Sequence, residues 1–211
     1  MRDTGYYYEM RELALDVRAR NGIEGSDLSM RDMWRIYREE GIEKLDFRHG
    51  FKDLRGAYFN DDCGVTVMLA GGLPDEPTIF TMAHELKHHL VDSEAGPVVC
   101  RTNEQTKRIE VGAEVFAAEL IYPEKDFVYD LFRLLRGMPH AVSPEVLVEL
   151  KRKTNTTLSY AGLAKRTVLL RLADEKAFRD VGWRGLERRS NRDGRQPQRS
   201  QLFRSESYEP L

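Results

Sequence analysis

The chain has 211 residues, 41% of them hydrophobic and 32% charged, and a formal net charge of −2. That length suits one domain with a small appendage, and the apolar share is enough for a core under a highly charged surface. The near-neutral balance argues against a nucleic-acid or membrane surface over the whole protein, and the longest apolar run, "VTVMLAGGL", is too short to span a bilayer.

The N-terminal stretch "MRDTGYYYEMRELALD" has early acids and no continuous apolar run, so it does not read as a signal peptide, and a cytoplasmic protein is expected. Cys63 and Cys100 are the only cysteines and form no C-x-x-C spacing. They read as reduced thiols rather than as a disulfide framework or a sulfur metal site.

Residues 6–20 have helical spacing, with Met10, Leu13, Ala14 and Val17 on one stripe. "NGIEGSD" breaks that pattern. Ser29 then opens a second helix as N-cap, with Asp32 placed to answer it in a capping box, and Gly41 is a natural stop. Three short segments rich in β-branched or aromatic residues follow: 44–48, 56–60 and 65–69. "DDCG" between the last two predicts a hairpin. From Pro77 the chain turns helical, over about 77–92, 105–121, 124–136, 144–153 and 160–178, with Pro123 and Pro144 at boundaries. The last stretch, 185–211, loses apolar periodicity and gains Arg, Ser and Gln, which predicts a flexible basic tail.

The segment "FTMAHELKHHLVD" carries the chemistry. Residues four apart share a helix face, so His84 and His88 can hold one ion between them. Glu85 lies on the neighbouring edge, where it can reach an attacking water without taking a coordination position. This is the H-E-x-x-H arrangement of zinc hydrolases. His89 is one residue out of register and is not expected to be a ligand. Ile79, Phe80, Ala83, Leu86 and Leu90 form the apolar stripe of this helix, which puts the two histidines on a cleft rim beside the core rather than on an incidental solvated face.

A catalytic zinc site needs a third protein ligand and an open fourth position. The next helix offers two carboxylates. Its stripe is Ile109, Ala113, Phe116, Ala117 and Leu120, and Glu110 and Glu114 each follow a stripe member, four residues apart. If the helices pack by their stripes, both carboxylates face the histidines, and either can be the ligand.

"TMAHELKHHL" followed by "IEVGAEVFAAELIYP" resembles the ImmA/IrrE family of metallopeptidases, whose members typically carry H-E-L-G-H and then E-x-x-A-N-x-F-A-A-x-L-L-M-P. The resemblance covers about residues 56–125. It implies Glu110 as the third zinc ligand and Glu114, at the position of the usual asparagine, as a residue that orients a ligand histidine; a swap of the two stays open. Lys87 replaces the family's glycine, and a cation at the cleft rim with an influence on substrate choice is expected there.

The fold expected is α+β. A zincin-like domain with N-terminal helices spans 1–140, its small antiparallel sheet packed on helices that include the H-E-x-x-H helix. A helical appendage covers 141–184 and the tail 185–211. "VTVML" is a candidate for the cleft rim, where a peptide can add as a strand. Tyr122, His140 and Tyr160 are candidate oxyanion donors, none assigned. The function expected is limited cleavage of a regulatory protein by a Zn2+ peptidase with Glu85 as general base, and the family resemblance implies a helix-turn-helix repressor as substrate. The alternative is a metal-stabilised module that binds protein or DNA without turnover. Nucleic acid enters only through the C-terminal region: the arginines of 185–211, where a solvated tail is the preferred reading, and basic residues of 144–178, such as Lys151, Arg152, Lys165 and Arg171, where a packing appendage is preferred.

Overall fold

A computed structural model describes residues 4–49, 54–62, 64–93, 104–136 and 142–193. Helix α1 (Thr4–Arg20) and helix α2 (Met30–Glu39) lead into strands β1 (Lys44–Arg48), β2 (Gly56–Asp61) and β3 (Gly64–Ala70). Helices α3 (Asp75–Asp92), α4 (Glu104–Ile121), α5 (Glu124–Leu134), α6 (Pro144–Thr154), α7 (Tyr160–Leu169) and α8 (Trp183–Asp193) follow, with a 3-10 turn at Glu175–Phe178. This is the α+β, zincin-like layout expected. Cys63, Cys100, His140 and residues 194–211 lie outside the described residues. Among the described residues, no helix is long and apolar enough to cross a membrane.

The core forms where the apolar stripes meet. Met10, Ala14 and Val17 of α1, Ile79, Ala83 and Leu86 of α3, and Phe116, Ala117 and Leu120 of α4 are all buried in one cluster. Helix α4 is the central member, packing on both α1 and α3. The capping box at Ser29 and Asp32 is present, and Gly41 ends α2 with a positive φ of 78°. Helix α3 starts two residues earlier than expected, at Asp75, with Asp75 and Glu76 placing negative charge on its N-terminal turn.

Three expectations are corrected. First, the sheet is mixed, not antiparallel. The order is β1-β3-β2, with β2 antiparallel and β1 parallel to β3. The most apolar strand takes the middle: Val67 and Leu69 are fully buried, and the polar β1 goes to an edge. The cleft rim is therefore β2 and not "VTVML", since β3 is paired on both sides. Second, the helix expected over 160–178 stops at Leu169. Arg171 adopts a left-handed φ of 58°, and Arg171 and Leu172 donate their N–H groups to the Val168 and Thr167 carbonyls, closing the end. Third, the expected tail starts with structure. Helix α8 packs on α6, Trp183 stacks on Tyr160 with ring centroids 5.1 Å apart, and Tyr160 Oη donates to Glu187 at 2.9 Å.

Candidate metal centre

The packing of α3 on α4 sets the site, with β2 as its third wall. A cleft of about 520 Å³ opens there, lined by His84, Glu85 and His88 of α3, Glu110 and Glu114 of α4, Arg55, and Gly56, Ala57 and Phe59 of the edge strand. Leu54, Phe59 and Phe80 give it an apolar side.

His84 and His88 sit one turn apart and converge. Their Nε2 atoms lie 3.2 Å from each other. Glu110 reaches across from α4, with Oε2 3.2 Å from His84 Nε2 and Oε1 3.8 Å from His88 Nε2. Among the described residues, this is the one group of three or more His, Cys, Asp or Glu side chains whose ligand atoms fit a metal ion, all within 4.8 Å of one another. Two imidazole nitrogens and a carboxylate oxygen suit a divalent cation.

The tautomer of His88 follows from its other ring nitrogen. Nδ1–H donates to Asp92 Oδ2 at 2.7 Å, which leaves the Nε2 lone pair directed into the cleft. Asp92 is nearly buried. Burial pushes its carboxyl up, but the hydrogen bonds from His88 and Lys87 and their charges outweigh that, and the net shift is below the usual carboxylate range. The sequence reading missed Asp92, although the signal was present: it lies four residues past His88, on the same face.

Glu85 is 5% exposed and faces β2. A Cβ at Gly56 would stand 2.6 Å from Glu85 Oε1 and 2.5 Å from Thr81 Cγ2, so only glycine lets the strand pass this close. Burial pushes the Glu85 carboxyl up to about 7; the positive charge of His84 opposes the rise and the negative charge of Glu110 adds to it.

The other sequence candidates are placed elsewhere. Glu114 does not orient a histidine; it pairs with Lys165 of α7, which holds its carboxylate at the far wall. Lys87 is not a rim cation. It is fully buried and donates to Asp92 Oδ2 at 2.6 Å. His89 is outside the metal group: its Nε2–H donates to the Glu40 carbonyl at 2.8 Å and its Nδ1 accepts from Tyr58 Oη at 3.1 Å. Tyr122 is buried and donates to Asp130 at 2.8 Å, and Tyr160 is committed to Glu187, so neither lines the cleft.

Among curated proteins, none matches the chain. Residues 41–149 match the profile of the IrrE N-terminal-like domain, a peptidase family. The match takes in all three strands and both helices that build the cleft, and spans more than half of the 211 residues. The chain belongs to the IrrE N-terminal-like domain family of peptidases.

Proposed function

We propose that the protein is a zinc-dependent peptidase that makes a limited cut in a regulatory protein. One observation carries this reading: the Nε2 atoms of His84 and His88 lie 3.2 Å apart, the two oxygens of the Glu110 carboxylate lie 3.2 Å from the first and 3.8 Å from the second, and a buried carboxylate that is not a ligand, Glu85, stands beside them. Ligands about 2.0–2.1 Å from a tetrahedral zinc stand about 3.3–3.4 Å from one another, so the side chains are already spaced for that ion. Glu114, the residue that would close the site as a fourth ligand, is held by Lys165, which favours an open position and turnover over a purely structural metal.

Bound zinc supplies Lewis acidity, polarising the scissile carbonyl and bringing the acidity of water toward neutral pH. The protein's own groups do the rest. Glu85 takes the proton of the attacking water and returns it to the leaving amine; a carboxyl poised near 7 serves both directions. Asp92 keeps His88 in the tautomer that presents Nε2. Strand β2, an edge of the sheet among the described residues, offers backbone groups to an extended peptide, and Leu54, Phe59 and Phe80 offer contact to its apolar side chains. A helix-turn-helix repressor is the substrate class that the family resemblance favours. Narrow selection comes from contacts gathered away from the scissile bond.

The test is incubation of zinc-loaded protein with casein, generic peptides and a helix-turn-helix repressor encoded beside its gene. A single cut in the repressor, absent with Glu85→Gln although that variant keeps its metal, is expected. Rapid unselective digestion of casein overturns limited cleavage, and undiminished cleavage by Glu85→Gln removes Glu85 as the base.

A further inference from the structure

A lysine with no exposed surface needs a reason to be charged inside a protein, and Lys87 has three. Its Nζ donates to Asp92 Oδ2 at 2.6 Å and toward the Ile109 carbonyl at 3.4 Å, and it lies 5.7 Å from the centre of the Tyr6 ring. These partners sit on three different helices. Asp92 ends α3 and accepts, on the same oxygen, the Nδ1–H of His88. Ile109 is the residue before Glu110 on α4. Tyr6 belongs to α1, and its ring also lies under Arg108, at 4.4 Å.

We infer that Lys87 is a positioning residue for the metal centre: through Asp92 it fixes the ring of His88, and through the Ile109 carbonyl it ties that fixed ring to the helix turn that presents Glu110. Both sides of the ligand set are thereby referred to one buried ammonium. Asp92 alone has a choice of rotamers and one donor; with Lys87 it has two donors meeting at one oxygen, which leaves a single arrangement. The lysine replaces a residue that is glycine in the H-E-L-G-H pattern, and its partner Asp92 lies five residues on. A glycine at 87 would leave Asp92 without its compensating charge in a buried position. Carboxylates that hold the far nitrogen of a ligand histidine commonly govern metal affinity by about 10–100-fold, and Lys87 acts through such a carboxylate.

This inference rests on the metal-centre reading, and the experiment separates the two. Zn2+ affinity is measured by chelator competition for the intact protein, Lys87→Met, Asp92→Asn and the double variant, with the visible spectrum of the Co2+ form recorded for each. The expected result is about 10–100-fold weaker binding for each single variant and a shifted Co2+ spectrum. In the Asp92→Asn background, Lys87→Met should weaken binding by clearly less than it does in the intact protein, because its route to His88 is already cut and only the tie to the Ile109 carbonyl remains. Where Lys87→Met does not fold by circular dichroism, Lys87→Ala, which removes the donor with less bulk to accommodate, takes its place in the same cycle. Unchanged affinity in the folded single variant, or penalties that simply multiply in the double variant, overturn the positioning role. Absence of tight Zn2+ binding by the intact protein instead overturns the metal centre itself.

Discussion

The two walls of the cleft are built on opposite principles. On the α3–β2 side, Glu85, Lys87, His88 and Asp92 are nearly or fully buried, and Gly56 brings a backbone into contact with a carboxylate. On the α4–α7 side, Glu114 and Lys165 meet as an ion pair with side chains 45% and 63% exposed. The first wall holds groups in the low-dielectric setting where small displacements matter most. The second is screened by solvent and can change its side chains at little energetic expense. Two of the three candidate ligands and Glu85 stand on the buried wall, and Glu110 reaches in from the side whose neighbouring carboxylate, Glu114, is exposed.

The sharpest way to break this contrast is Gly56→Ala. A methyl group there must displace Glu85 or Thr81, so peptide hydrolysis should fall by about 10²–10⁴-fold, as for loss of a general base, while bound metal stays near one per chain. Retained hydrolysis would show that the buried wall yields more than its packing suggests. A smaller effect is expected in the metal-stripped protein. Glu85 is raised to about 7 in the fold from an ordinary 4.5, so the unfolded chain gives up its proton first. Its contribution to stability is fully present below about pH 4.5 and is lost as pH rises through about 7, by roughly 3 kcal/mol. Asp92, lowered in the fold, works in the opposite sense and below pH 3.8, outside that window. Urea unfolding in EDTA at pH 5 and pH 8 should show the decline, and Glu85→Gln should flatten it; a slope unchanged by that substitution assigns the effect to other groups. The least effect belongs to the exposed wall. Lys165→Ala should change stability by less than about 1 kcal/mol and leave metal affinity alone. It should alter KM for charged peptides at low salt more than kcat, and a collapse in thermal stability would place Lys165 with the buried side.

What the sequence made legible was whatever local spacing determines. His84 and His88 share a face because a helix turns about 100° per residue, and no tertiary detail is needed to see it. Gly41 announced a helix end because glycine adopts positive φ freely. Arg171 closes α7 by a similar backbone route with a residue that gives no such signal, so the helix was read too long. Glu110 and Glu114 were equivalent on their own helix; the approach of His84 to Glu110 and of Lys165 to Glu114, 51 positions away, separates them. The burial of Lys87 depends on α1, α4 and Asp92 arriving around it, and a lysine in a motif otherwise reads as surface. Strand order was hidden for the same reason, since β1 and β2 are neighbours in the chain while β3 lies between them in the sheet. Helix α8 is rich in arginine and was read as tail; the stack of Trp183 on Tyr160 is a long-range contact.

Helix α3 has no idle side between positions 84 and 89. His84 and His88 face Glu110 across the cleft, Glu85 faces β2, Leu86 the core, Lys87 faces α1 and α4, and His89 bridges β2 and the end of α2. An ordinary surface helix tolerates change on its outer face, so acceptable substitutions recur every three or four residues along it. Here that rhythm is missing, and six successive positions constrain one another. A single inserted residue ahead of His84 would turn all of them by about 100° at once, out of every partnership together. Substitutions that leave the fold intact are thereby expected in the loops and faces around this helix, where a change affects one contact at a time.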